Sequence, residues 1–278
     1  MKVELSKSAG FCIGVRRAID TVMKEASKST VLYMLGDIVH NEIVIEQIRE
    51  KGVKKIKRLG KGAGKTLLVR AHGATLATYK KAENAGYKII DATCPMVKEI
   101  HKLAQKEEKN GRTIIILGDK NHEEVLGIKG SLSSKAVIID PKEPLPFKKL
   151  AKIQKASIVI QSTQNLENMI KIGNKLSKVI KDLRFHDTIC IPTKKRQKEA
   201  RSLPVKHDAI LVIGSRSSAN TKRLYEISKG LNKSTYWISS LKEIKRSWFK
   251  DVKSTGVLAG ASTPDTLIQE IVSFLESL

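Results

Sequence analysis

The chain has 278 residues, 41% of them hydrophobic, which is enough for one large domain or for two to three small ones. Its apolar runs are too short to span a membrane and its N-terminus does not resemble a signal peptide, so we expect a cytoplasmic protein with reduced cysteines. The formal net charge of +24 would attract nucleic acid or acidic partners. Aromatic residues make up only 4% of the chain, however, so we interpret the lysines as a solvated surface and expect no nucleic-acid partner.

Short β-branched runs alternate with amphipathic helical patterns along the chain. In chain order, the predicted strands cover residues 31–35, 66–70, 113–118, 136–140, 157–161, 209–214, 235–238 and 256–259. The predicted helices cover residues 15–26, 96–109, 166–183, 220–231 and 265–278. This alternation predicts the α/β class with mostly parallel sheets.

Each third of the chain contains one cysteine at the start of a helical pattern, namely Cys12, Cys94 and Cys190. This weak repeat predicts three similar lobes that share one centre. A helix N-terminus favours the thiolate form, and three soft thiolates suit an iron–sulfur cluster or zinc. The residues alone leave open that the three are unrelated buried thiols.

Polar loops follow several of the predicted strands, where parallel sheets bind ligands. His40, His72 and His122 lie in such loops, each of them either a ligand-binding or an ordinary surface histidine. Together with the side chains of Ser218, Asn220 and Ser262, they would form a pocket rich in hydrogen-bond donors, suited to a phosphate or diphosphate. Glu124 is a candidate proton donor if it is buried, and otherwise an ordinary exposed glutamate.

Six short segments carry a resemblance to a known family. They are Gly10-Phe11-Cys12, Arg70-Ala71-His72-Gly73, Asp91-Ala92-Thr93-Cys94-Pro95, Thr188-Ile189-Cys190 with Arg196-Gln197, Gly214-Ser215 with Ser218 and Asn220, and Gly260-Ala261-Ser262 with Pro264-Asp265. In this order and spacing they resemble the 4-hydroxy-3-methylbut-2-enyl diphosphate reductase family, whose members complete the methylerythritol phosphate route to isoprenoids.

The resemblance implies three α/β lobes in a pseudo-threefold, trefoil arrangement around a central iron–sulfur site. The lobes would cover residues 13–94, 95–189 and 190–278, the last joined by residues 1–12. Cys12, Cys94 and Cys190 would hold a 4Fe–4S cluster whose fourth iron lacks a protein ligand and binds the substrate's hydroxyl oxygen. The hydroxyl would leave as water, giving isopentenyl and dimethylallyl diphosphate.

The resemblance also implies roles for individual side chains. Glu124 matches the family's acid. The substrate-binding positions are His40, His72, His122, Asn165, Ser218, Ala219, Asn220 and Ser262.

Three positions depart from the family pattern. Glu123 replaces a proline, and Ala219 replaces a serine, which removes one phosphate donor. Asn165 occupies the position of a threonine expected near the substrate hydroxyl, and Thr163 is the alternative for that role.

The strong positive charge is also unusual for the family. It suggests recruitment of an acidic electron donor such as ferredoxin or flavodoxin. The competing interpretations are a basic nucleic-acid-binding protein and a zinc hydrolase.

Overall fold

The described part of the chain, residues 1–28 and 31–278 of a computed structural model, contains twelve strands. The strands are β1 (Lys2–Leu5), β2 (Leu32–Leu35), β3 (Lys54–Ile56), β4 (Thr66–Val69), β5 (Lys88–Asp91), β6 (Thr113–Leu117), β7 (Val137–Ile139), β8 (Lys155–Ile160), β9 (Asp182–Phe185), β10 (Ala209–Ile213), β11 (Thr235–Ile238) and β12 (Ser254–Ala259). All the pairings between them are parallel.

Helices connect these strands. They are α1 (Ile13–Ala26), α2 (Glu42–Glu50), α3 (Leu76–Asn84), α4 (Pro95–Lys109), α5 (Glu123–Gly130), α6 (Phe147–Leu150), α7 (Leu166–Leu176), α8 (Ile191–Ser202), α9 (Ala219–Leu231) and α10 (Asp265–Glu276). Among the described residues, no helix is both long and apolar enough to cross a membrane.

The strands form three four-stranded sheets with one shared order. Those orders are β1-β12-β10-β11, β5-β4-β2-β3 and β9-β8-β6-β7. In each sheet the edge strand on one side precedes a cysteine, and the helix after that cysteine leads to the next sheet along the chain. The prediction of an α/β fold with three similar lobes is therefore confirmed, whereas the exact lobe boundaries stay predictions.

The chain divides into two compact units. The first comprises residues 1–16, 39–47 and 190–278 and contains the sheet of β1 and β10–β12. The second comprises residues 17–38 and 48–189 and contains the other two sheets. Both faces of the central strands are buried, as expected for parallel sheets covered by helices.

All eight predicted strands are present, but one predicted helix is wrong. Instead of continuing to residue 183, α7 ends at Leu176, and residues Asp182–Phe185 form edge strand β9. The Phe185 ring packs so closely over Gly173 of α7 that any side chain there would collide with it. Helical periodicity alone did not reveal this end, because the tertiary contact between helix and strand determines it.

Candidate active site

The three cysteines occupy equivalent positions in the fold. Each directly precedes a helix, and its carbonyl accepts that helix's first backbone hydrogen bond, from Arg16 to Cys12 at 2.9 Å, from Lys98 to Cys94 at 3.1 Å and from Lys194 to Cys190 at 3.1 Å. Each cysteine therefore lies at the positive end of a helix dipole. Cys12 and Cys190 belong to the first unit and Cys94 to the second.

Hydrogen-bond donors surround the sulfur atoms of the first unit. The backbone N–H of Val15 donates to Cys12 Sγ at 3.4 Å. The Thr193 hydroxyl lies 3.1 Å from Cys190 Sγ. These contacts suit sulfur atoms that carry negative charge.

A buried arginine lies near the same two cysteines. Arg196 of α8 is 4% exposed and donates through Nη2 to the Gly10 carbonyl at 2.6 Å and through Nη1 to the Pro192 carbonyl at 3.3 Å. The pKa of Arg196 is lowered, because burial outweighs the charges of Cys12, Cys190 and Glu199, which act in the opposite direction. A buried guanidinium requires nearby negative charge, which two thiolates would provide.

This donor set fits a thiolate-bound metal centre. All three cysteines are described, half-buried and outside any disulfide. Three soft sulfur ligands at helix N-termini, two of them near a buried cation, match an iron–sulfur cluster and also permit zinc.

Glu124 is a buried carboxyl group in the first turn of α5. It is 1% exposed and accepts hydrogen bonds from the backbone N–H of Ser162 at 2.6 Å and from the Ser162 hydroxyl at 2.8 Å. Burial raises the pKa of Glu124 to about 7, although both hydrogen bonds from Ser162 act in the opposite direction. A carboxyl group in this state can hold and release a proton at neutral pH.

His122 lies beside Glu124 in the second unit, and His72 lies beside His122. His122 caps α5, and its Nδ1 accepts the backbone N–H of Glu124 at 3.2 Å, which leaves Nε2 as the protonated nitrogen of the neutral ring. The ring of His72 meets the ring of His122 edge-on, with centroids 5.5 Å apart. His72 Nδ1 also lies 3.6 Å from Glu123, which pairs with Arg70. The proline-to-glutamate departure at Glu123 thus adds an ion pair to this cluster.

Further expected substrate-binding residues lie in the first unit. The Ser262 hydroxyl donates to the backbone carbonyl of His40 at 2.9 Å. Ser218 caps α9 by accepting the backbone N–H of Thr221 at 3.3 Å, and Ala219 is the first residue of that helix. Asn220 is buried, and its Nδ2 has no hydrogen-bond partner among the described residues, so that donor is available to a ligand.

The two candidates for the hydroxyl-binding position both have internal contacts in the second unit. Asn165 caps α7, and its Oδ1 accepts the backbone N–H of Asn168 at 3.1 Å. The Thr163 hydroxyl accepts a hydrogen bond from Gln161 Nε2 at 3.0 Å. The Asn165 cap still leaves the amide Nδ2 as a donor.

Sequence reasoning missed the roles of Arg196 and Ser162. A signal for Arg196 was present, because α8 buries Thr193, Arg196 and Gln197 on one face where a helix usually buries apolar residues. Ser162 directly follows a predicted strand, but nothing in the local sequence indicates that it contacts Glu124, which lies 38 positions away.

The fold and these residues define a three-lobed α/β protein with cysteine-led helices and a buried titratable carboxyl. The model of the family described as LytB protein matches residues 3–276, and the chain belongs to this family. This confirms the resemblance found in the sequence motifs. The family assignment makes the chain an oxidoreductase.

Curated relatives match over the full length of the chain. The 4-hydroxy-3-methylbut-2-enyl diphosphate reductase of Dictyoglomus thermophilum is 38% identical over 97% of this chain and 94% of its own. The enzyme of the same name from Clostridioides difficile is 36% identical over the whole of both chains.

Two solved structures are also similar. A structure of (E)-4-hydroxy-3-methyl-but-2-enyl diphosphate reductase, named as the terminal enzyme of the non-mevalonate pathway, is 33% identical over the whole of both chains, with a TM-score of 0.74. The E-1-hydroxy-2-methyl-but-2-enyl-4-diphosphate reductase of Plasmodium falciparum is 28% identical, with a TM-score of 0.89 over 99% of this chain and 87% of the other.

Proposed function

We propose that the chain catalyses the reductive dehydroxylation of (E)-4-hydroxy-3-methylbut-2-enyl diphosphate to isopentenyl and dimethylallyl diphosphate. Full-length similarity to enzymes of that name supports the substrate. The observation that carries the proposal is Glu124, a buried carboxyl group whose pKa is raised to about 7, because the loss of a hydroxyl as water needs a proton source.

We further propose that Cys12, Cys94 and Cys190 hold a 4Fe–4S cluster with one iron free of protein ligands. Their shared position at helix N-termini supports this ligand set, as does the buried cation of Arg196 near two of them. When bound, such a cluster supplies electrons and a Lewis acid for cleavage of the carbon–oxygen bond.

The reaction consumes two electrons and two protons for each hydroxyl lost. Glu124 holds a proton at neutral pH and would donate it to the departing hydroxyl oxygen, so that oxygen leaves as water rather than hydroxide. Ser162 keeps the carboxyl in place through both of its hydrogen bonds. Because the carboxyl is almost fully buried, bulk water cannot readily replace it as the donor.

The remaining site residues would bind the substrate. Imidazole, hydroxyl and amide donors would neutralise the diphosphate, and Ala219 would offer only its backbone N–H at the start of α9. Asn165 would serve the substrate hydroxyl through Nδ2. The diphosphate-binding side chains would be His40, His72, His122, Ser218, Asn220 and Ser262.

The electrons would come from an acidic donor such as ferredoxin or flavodoxin in the cytoplasm. The net charge of +24 supports attraction of such a donor.

Anaerobic turnover tests the reaction. The chain, reconstituted with iron and sulfide, is supplied with the substrate and reduced methyl viologen, and products are separated by chromatography. We expect both isomeric diphosphates. A reconstituted protein that leaves the substrate unchanged would refute the reaction.

Metal analysis tests the cofactor. We expect about four irons and four sulfides per chain, and a serine at any one of Cys12, Cys94 or Cys190 should weaken retention of both. Zinc without iron would favour a hydrolase. A colourless protein with salt-dependent nucleic-acid affinity would favour a basic nucleic-acid-binding protein.

A further inference from the structure

The exposed face of α8 combines an apolar residue with two lysines. Ile191, the first residue of the helix, is 63% exposed. Lys195 and Lys198 follow it by four and seven positions, so they lie on the same helical face, and both are exposed. This face begins directly after Cys190.

The segment before α1 packs along the same helix. Both the backbone N–H, at 3.2 Å, and the hydroxyl of Ser8 donate to the Glu199 carboxylate of α8. The Gly10 carbonyl accepts the Arg196 guanidinium at 2.6 Å. Two independent contacts therefore hold the segment that leads to Cys12 against α8.

This segment presents the same combination of side chains. Ile13 directly follows Cys12 and is 80% exposed, the highest exposure among the large apolar residues described. Lys7 is also exposed. We name the surface formed by these residues and the α8 face the docking strip: Lys7, Ile13, Ile191, Lys195 and Lys198.

The charge of the docking strip is strongly one-sided. Helix α8 carries a single carboxylate, Glu199, and Ser8 already contacts it. Lys195 and Lys198 are exposed on this face. Another carboxylate nearby, Asp265 beside Gly10, pairs with Arg16. An apolar centre with a cationic rim is complementary to a partner that has apolar contacts surrounded by carboxylates.

We infer that the docking strip is the surface on which an acidic electron-carrier protein binds and reduces the chain. The inference rests on the proposed function. The two isoleucines of the docking strip each follow a proposed cluster ligand in sequence. A carrier that covers them would therefore approach the proposed cluster from the side of Cys12 and Cys190. The isoleucines give close contact, and the lysines steer the encounter.

Charge reversal tests the lysines. The variant Lys195→Glu/Lys198→Glu is mixed, in an anaerobic stopped-flow instrument, with a reduced flavodoxin of net negative charge. At low ionic strength we expect the second-order rate constant for reduction to fall at least about tenfold. In about 1 M salt, where the screening length is roughly 3 Å, the difference should nearly disappear.

A matched control separates local from global charge. Lys233→Glu/Lys242→Glu makes the same change in net charge at exposed positions on either side of β11, the edge strand opposite β1. We expect this control to retain nearly the parent rate with flavodoxin. Equal slowing in both double variants, or slowing in neither, would overturn the docking strip.

A small reductant separates docking from the chemistry. With reduced methyl viologen, which needs no protein docking, the α8 double variant should turn over within about twofold of the parent. If the parent itself fails with viologen, the proposed function is wrong. If the parent works with viologen and the α8 variant reacts normally with flavodoxin, only the docking inference is wrong.

The apolar centre is tested by Ile191→Asn. We expect the flavodoxin concentration at half-saturation to rise about tenfold at every salt concentration, because contact rather than steering is lost. An unchanged half-saturation would contradict the apolar part of the inference. Duplex DNA provides the other possible outcome. If the parent binds DNA tightly and in a salt-dependent manner, and Lys195→Glu/Lys198→Glu abolishes that binding without changing reduction by flavodoxin, the strip binds nucleic acid instead.

Discussion

Two buried glutamates in the second unit, Glu107 and Glu124, have opposite ionisation behaviour. Glu107 lies near the end of α4 and is 3% exposed, while Glu124 lies in the first turn of α5 and is 1% exposed. Burial alone would raise the pKa of Glu107, but hydrogen bonds from Ser157, His186 and Arg184 lower it to about 2. Glu107 is therefore a carboxylate at neutral pH.

Glu124 lacks this compensation. Ser162 donates two hydrogen bonds to it, but the described residues place no cation within ion-pair distance of its carboxyl group. Burial therefore dominates, and the pKa of Glu124 rises to about 7. Both side chains are almost inaccessible to solvent, but Glu124 lies deeper and has no cation beside it. Depth of burial and neighbouring charges together therefore separate the structural glutamate from the one that can transfer a proton.

The largest expected difference between the two concerns turnover. Glu124→Gln removes the titratable carboxyl proton and should slow viologen-driven turnover by about 10²–10⁴-fold, while the visible absorbance expected of the proposed cluster is retained. Glu107→Gln, the matched control, should leave turnover per folded molecule nearly unchanged. Normal turnover by the Glu124 variant would remove Glu124 as the proton source.

The reverse difference is expected for stability. Glu107→Gln removes the charge that accepts the Ser157 hydroxyl at 2.5 Å, while Asp182 still pairs with Arg112, so we expect a loss of about 1.5–3 kcal/mol. Glu124→Gln should raise the free energy of unfolding at pH 8 by up to about 3 kcal/mol, because the parent must ionise a buried carboxyl there and the amide stays neutral. Urea unfolding of both variants measures this, and similar losses in the two would show that their surroundings do not differ as described.

The pH dependence of stability should separate the two glutamates further. The raised pKa of Glu124 means that the folded state binds more protons between pH 4.5 and about 7, so its contribution to stability falls by about 3 kcal/mol as pH rises through that window. The lowered pKa of Glu107 has the opposite sign: its stabilisation is present above pH 4.5 and is lost as pH falls toward 2.

Unfolding experiments across this range, made on the parent and on Glu124→Gln, test the assignment. The variant should lack the decline between pH 4.5 and 7. A decline of the same size in both proteins would assign it to another group.

The central strands were predictable from sequence, but most of the edge strands were not. Runs such as Thr113–Leu117 are β-branched and buried on both faces, which leaves a strong local signal. Edge strands such as Lys54–Ile56 and Asp182–Phe185 are short, charged and half-exposed. Their structure depends on pairing with a distant strand, which local periodicity does not report.

The candidate site likewise combines residues that sequence motifs indicated with contacts that only the fold shows. The cysteines and Glu124 were chosen as candidates because they lie in recognisable motifs, whose resemblance to a known family supplied their expected roles, and those roles stay predictions. The side chains around the two glutamates could not be predicted in this way, since Ser162 is 38 positions from Glu124 in sequence and Ser157 is 50 positions from Glu107. Sequence therefore indicated which carboxyl to consider, and only the fold gives the reason for its pKa.

The most direct test is an infrared titration of the carboxyl groups in the folded parent, with Glu124→Gln and Glu107→Gln subtracted in turn. We predict that the Glu124 difference contains a protonated-carboxyl band at pH 6 that disappears with a midpoint near pH 7, whereas the Glu107 difference contains no such band above pH 4. A Glu124 that is already ionised at pH 5 would contradict its role as the proton donor.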